Sequence, residues 1–190
     1  MSATSPHGIK IAPADIPDVL IVETPVYTDP RGLFSEMFHA KKFAEAGFVH
    51  SFVQDNRSLS RKGVIRGLHY QRQVPQGKLV GCAYGEIFDV AVDLRRSSPT
   101  FGKWTGTTLS GENGRQMFIP EGFAHGFCAL SETALVVYKC TDFFAPDDDR
   151  GIFYADPDIG VDWPVEDPVV SEKDRGLPLL SSVDPETLFD

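Results

Sequence analysis

Short apolar or alternating runs, each closed by Gly, Pro, Asn or Asp, recur along the chain at 19–22, 32–38, 64–70, 78–83, 86–94, 104–109, 115–119, 126–129 and 134–141. Regular short runs of this kind predict the strands of a β-sandwich or barrel. In the run from Ile87 to Asp93, alternation puts Asp89, Ala91 and Asp93 on one face and the apolar set on the other, which fits a strand better than a helix. One helix is expected over 40–46, where Lys and Glu mix with Phe43 before Gly47 ends it. From Phe143 the chain turns rich in Pro and Asp, so 143–190 is expected as loops and short helical turns packed on the strands, and 1–18 as an N-terminal extension. No repeat, low-complexity stretch or linker divides the 190 residues, and one domain with a real core is expected.

Composition narrows the function classes. Seventeen Gly and 14 Pro are more punctuation than a helical protein of this size needs. A formal net charge of −9 argues against nucleic acid as partner, because that binding depends on clustered Lys and Arg, although it leaves room for a small phosphorylated ligand. Cys82, Cys128 and Cys140 are odd in number, widely spaced and set in apolar runs, so buried free thiols are expected. Nothing resembles a leader or a bilayer-spanning run, and a soluble cytoplasmic protein without membrane contact is the expectation.

The most patterned segment carries Gly114, then Pro120, Gly122 and His125 in the spacing Pro-x-Gly-x-x-His. It resembles the second motif of the cupin superfamily, in which a tight turn returns a histidine to the mouth of a jelly-roll barrel. The counterpart of the first motif is the run from Gly63 to Gln71, with His69 in place and Gln71 where a second histidine ligand would stand. Two imidazoles alone make a poor first-row metal site, which normally has three protein ligands, so no metal is expected. That disfavours a metal-dependent oxygenase. Arg66 and Lys78 on neighbouring strands would bring two cations beside His69, an arrangement suited to phosphate and a developing oxyanion. Spacing alone favours an exposed charge for Lys78 and leaves His125 equally readable as a structural histidine. Gln54 and Asn56 share one face of an extended segment, where their amides could bond a sugar or diphosphate.

Taken together, Asp29-Pro-Arg-Gly and the blocks starting at Phe52, Lys62, Gln76, Gly85, Ser97 and Ile119 resemble the dTDP-4-dehydrorhamnose 3,5-epimerase family over roughly 19–180. The resemblance implies a mainly β, cupin-type jelly-roll barrel with a few short helices. It also implies inversion of C3 and C5 of a dTDP-linked 4-keto-6-deoxy sugar with no cofactor. In its terms His69 is the base, Asp174 its orienting carboxylate, Lys78 the cation for the enolate oxygen, and Tyr138 the acid on the opposite face. Arg66, Gln54, Asn56 and His125 are implied substrate contacts, while Arg31, Phe34 and Glu36 reach the partner's site in a homodimer. From sequence alone Tyr138 reads first as a core tyrosine, and Asp174 has the alternative of a helix N-terminal charge or a surface residue. Phe143 and Phe144 stand where the family commonly has tyrosine, and Ala129 where the general cupin pattern has Asn. A single-centre epimerase of a related deoxysugar and a non-catalytic sugar-nucleotide-binding cupin are the alternatives.

Overall fold

The computed structural model describes residues 3–190. Its strands are β1 (Ala3–Thr4), β2 (Lys10–Pro13), β3 (Leu20–Glu23), β4 (Val26–Asp29), β5 (Gly32–Ser35), β6 (Gln54–Arg61), β7 (Ile65–Gln71), β8 (Lys78–Tyr84), β9 (Glu86–Asp93), β10 (Trp104–Ser110), β11 (Arg115–Ile119), β12 (Phe123–Ala129), β13 (Thr133–Cys140) and β14 (Asp149–Gly151). The helices are α1 (Ala40–Glu45) and α2 (Glu172–Arg175), with three single 3-10 turns. Two antiparallel sheets face each other as a jelly-roll barrel of cupin type. One has the order β1-β2-β3-β11-β8-β13-β6 and the other β10-β9-β12-β7-β14. Among the described residues no helix is long and apolar enough to cross a membrane.

Three apolar layers hold the barrel. Between the sheets lie Val80, Ile87, Ala91, Leu109, Met117, Phe127 and Val136, all buried. Val90, Val92 and Leu94 point out of the barrel and are covered by Ile152, Ile159 and Leu188 of the C-terminal segment. Outside the other sheet, Phe43 of α1 and Phe48 pack on Val22, Leu79 and Phe118. Both faces of β9 are therefore buried, so Asp89 and Asp93, each 0% exposed, sit inside and need partners there. Asp93 finds them in Arg95, Ser98 and Thr100.

Some boundaries differ from expectation for local reasons. Part of the expected 1–18 extension joins the larger sheet, with Ile11 of β2 opposite Val22 of β3. The run at 32–38 stops as a strand at Ser35 and pairs back on β4 as a separate hairpin, while Phe38 turns in to pack on Phe43. Helix α1 ends at Glu45 with Ala46 as its cap, and Gly47, at φ +91°, makes the turn beyond it. The three cysteines are free and buried.

Candidate active site

Period-2 strand geometry builds the site from inward positions on the two sheets. On β12, His125 interrupts a row whose other inward members, Phe123, Phe127 and Ala129, belong to the core. On β8 and β13 the core residues Val80 and Val136 are succeeded by Lys78 and Tyr138 toward one end. The interior thus changes from apolar to polar toward that mouth. His69 on β7 is the register partner of His125. A cleft of about 590 Å³ is lined by His69, Asp174, Lys78, His125, Tyr138 and Arg66. A neighbouring recess of about 300 Å³ shares His69, Lys78 and Tyr138 with it and adds Gln54 and Asn56.

His69 Nε2 lies 2.7 Å from Asp174 Oδ1. Asp174 is 4% exposed and arrives on α2, whose N-cap Ser171 accepts the Asp174 N–H at 3.1 Å. Its other carboxylate oxygen accepts the Gly67 N–H at 3.4 Å. Burial by itself would raise the Asp174 carboxyl, but the His69 hydrogen bond and charge, the Gly67 N–H and Ser171 outweigh it and hold the group below its ordinary value. An ionised carboxylate only accepts, so the imidazole nitrogen facing Asp174 carries hydrogen, and in the neutral imidazole the other nitrogen is the one with the free lone pair. Gly67, at φ +126°, is needed here: a Cβ would stand 2.5 Å from the Gly126 Cα and 2.7 Å from the His125 carbonyl.

From the facing sheet, Lys78 has its ammonium pushed below the ordinary value by burial, with Cys140, Asp149 and Asp89 pulling it back up. Burial, with the charges of Cys140 and Asp149, raises the Tyr138 phenol against the pull of Arg66, so it stays protonated at neutral pH. His125 Nε2 sits 2.8 Å from Asp89 Oδ1, while Asp89 Oδ2 is buried without a partner. Burial raises the Asp89 carboxyl, and His125 and Lys78 oppose it. Each imidazole is therefore tied to its own carboxylate. Among the described residues no group of three or more His, Cys, Asp or Glu is arranged to hold a metal ion.

Other polar groups complete the rim. Arg66 Nε donates to Ser60 Oγ at 3.1 Å, and Gln54 Nε2 donates to Asn56 Oδ1 at 3.2 Å. Arg31, Phe34 and Glu36 do not reach this cleft within the chain. Arg31 pairs with Asp29 at the hairpin tip with 90% of its side chain exposed, Phe34 is 67% exposed, and Glu36 binds Lys42 Nζ at 2.7 Å. Sequence reasoning missed three residues of the site: Asp89, Ser58 and Lys173. Asp89 was visible as an acid within an apolar strand, and Ser58 as the next inward position after Gln54 and Asn56; its hydroxyl is buried in the cleft wall without a partner. Lys173, beside Asp174 and paired with Asp149, gave no signal.

Comparison with known proteins identifies the family. Residues 13–182 match the family model described as dTDP-4-dehydrorhamnose 3,5-epimerase. The dTDP-4-dehydrorhamnose 3,5-epimerase of Methanothermobacter thermautotrophicus is 59% identical over 159 residues, 82% of this chain and 86% of that protein. A dTDP-4-dehydrorhamnose 3-epimerase of Streptomyces niveus is 38% identical over 175 residues, 91% of this chain and 84% of that protein. Among solved structures, the dTDP-6-deoxy-D-glucose-3,5-epimerase of Legionella pneumophila Philadelphia 1, in complex with dTDP-4-keto-L-rhamnose, superposes with a TM-score of 0.90. It is 51% identical, covering 95% of this chain and 97% of that one. With its length matched almost throughout and its polar cleft at the barrel mouth, this chain belongs to the dTDP-4-dehydrorhamnose 3,5-epimerase family.

Proposed function

We propose that the protein inverts C3 and C5 of dTDP-4-dehydro-6-deoxy-D-glucose, giving dTDP-4-dehydro-L-rhamnose, by proton removal and return through an enolate. The observation that carries this reading is the placement of a hydrogen-bonded imidazole and a protonated phenol on opposing sheets of one cleft, with a lysine beside the phenol. The C4 ketone acidifies the C–H bonds at C3 and C5. His69 takes a proton from one side, and the imidazolium so formed is stabilised by Asp174. Lys78 lies where a cation can stabilise the enolate oxygen, a charge that develops only during reaction. Tyr138, from the other sheet, returns a proton to the opposite face, so the carbon inverts. The organic chemistry needs no redox or electrophilic cofactor.

Arg66, Gln54, Asn56 and His125 serve as the contacts to sugar and diphosphate in this reading. The hairpin of β4 and β5 exposes Tyr27, Leu33 and Phe34 together with Arg31, an apolar and cationic arm suited to a second subunit. We take it as the segment that reaches the partner's cleft in a homodimer. Three free, buried thiols suit a reducing compartment and a cytoplasmic setting.

The test is conversion of the substrate, followed by the proton coupling constants of the sugar ring. Configurations changed at both carbons are expected. Change at one carbon would make the protein a single-centre epimerase, and bound nucleotide with an unaltered sugar would make it a binding module.

A further inference from the structure

Gln71 ends β7 two residues after His69 and is 5% exposed. Its amide is wholly committed to the neighbouring chain. Nε2 donates to the Val74 carbonyl at 2.6 Å and to the Phe143 carbonyl at 3.2 Å, while Oε1 accepts the Ala145 N–H at 2.9 Å. With both amide hydrogens used, Gln71 has no donor left for a ligand in the cleft. Two further glutamines hold the same loop. Gln54 Oε1 accepts the Phe144 N–H at 2.9 Å, and Gln76 Nε2 donates to the Asp142 carbonyl at 2.8 Å. Every residue from Asp142 to Ala145 thus has a main-chain group bound by a glutamine side chain, although none of the four belongs to a strand or helix.

The loop fixed in this way presents two aromatic rings outward. Phe143 is 62% and Phe144 51% exposed, and Phe144 borders the recess that adjoins His69 and Lys78. Leaving such rings in water forgoes about 25 cal/mol for each Å² of apolar surface that could be buried, so a backbone pinned to keep them there points to a ligand surface.

We propose that Gln71 is a positioning residue for ligand recognition: with Gln54 and Gln76 it holds loop 142–145 so that the Phe144 ring forms a fixed wall for the planar base of a nucleotide. This rests on the reading of the cleft as a nucleotide-sugar site. A wall ordered in advance spares the complex the entropy of ordering it on binding. Its loosening should weaken ground-state and transition-state binding alike, raising KM and leaving kcat.

The experiment replaces Gln71 with Met, which keeps the length and removes the amide. Dissociation of dTDP is followed by calorimetry, exchange of the Phe144 and Ala145 amides by NMR, and turnover by steady-state kinetics. The Kd for dTDP should rise about tenfold, the scale of one or two lost hydrogen bonds, with kcat held within about threefold. The Ala145 amide should exchange roughly tenfold faster or more, because its acceptor is gone. Phe144→Ala should also weaken dTDP, and the double variant should bind within about twofold of Phe144→Ala alone, since Gln71 acts through that ring. A dTDP affinity unchanged in Gln71→Met, effects that multiply in the double variant, or a fall in kcat at constant KM would each overturn the proposal. Should Gln71→Met not fold, Gln76→Met removes only the bond to the Asp142 carbonyl and should raise the Kd about threefold; an unchanged value there overturns the proposal equally. Wild-type protein that binds no dTDP would instead sink the functional reading of the cleft, an outcome separate from binding that ignores the glutamine.

Discussion

Replacing His69 with alanine is expected to lower proton exchange at every inverted carbon by about a hundredfold to ten-thousandfold, the contribution of a positioned base, while dTDP still binds. The expectation rests on geometry. His69 is bonded at 2.7 Å to the nearly fully buried Asp174, its own side chain is 32% exposed, and it lies in the wall shared by both parts of the cleft. His125 is not placed to take over, because it is only 8% exposed and already bonded to Asp89. Binding should persist because Gln54 and Asn56 lie on β6 and the aromatic loop follows β13, while Arg66, which shares β7 with His69, is held by Ser60 and not by the imidazole. Calorimetry with dTDP and a melting curve distinguish loss of chemistry from loss of fold. Near-normal turnover in a folded variant would remove His69 from the mechanism.

Tyr138→Phe is expected to depress inversion on the order of a hundredfold while leaving proton removal largely intact, because it deletes one positioned acid and nothing else. The ring packs against the interdigitated core and would keep doing so in the variant. Burial keeps the Tyr138 phenol protonated, as an acid awaiting an enolate requires. Without it, the His69 imidazolium can exchange with solvent and return a deuteron to the face the proton came from, so the sugar should acquire solvent deuterium with its starting configuration retained. The check is the amount of deuterium in recovered substrate relative to inverted product, in variant and wild type. An unchanged ratio would place the second-face acid elsewhere and leave Tyr138 a packing residue.

How much of this was legible beforehand depended on where each signal lay. Strands such as β9 and β11 stood out because apolar side chains recur along them. Strand β6 gave no such signal. Its inward positions are Gln54, Asn56, Ser58 and Ser60, chosen by the cleft rather than the core, so its hydrophobic period is erased. Strands β1 and β2 are an edge addition, and β2 has no fully buried position, which also leaves a weak pattern. Within the site, His69 and His125 could be found through turn-and-strand motifs local in sequence. The contact between His69 and Asp174 spans 105 residues and depends on how the C-terminal segment wraps the barrel, which no local spacing encodes. Asp89 was read as one face of an amphipathic strand, and its meaning changed once both faces of β9 proved buried. Gln71 was noticed only as an absent histidine. Its engagement with Val74, Phe143 and Ala145 emerges from the loop that folds back over it.

The central claim is that two carbons beside one ketone are each deprotonated and reprotonated from opposite sides. Wild-type protein turning over dTDP-4-dehydro-6-deoxy-D-glucose in deuterated buffer tests it directly, with the position of deuterium in the product read by NMR. The expected result is deuterium at both C3 and C5, each carbon inverted, with no metal or organic cofactor added. Deuterium at only one of the two carbons, or inversion without any uptake from solvent, would contradict the account.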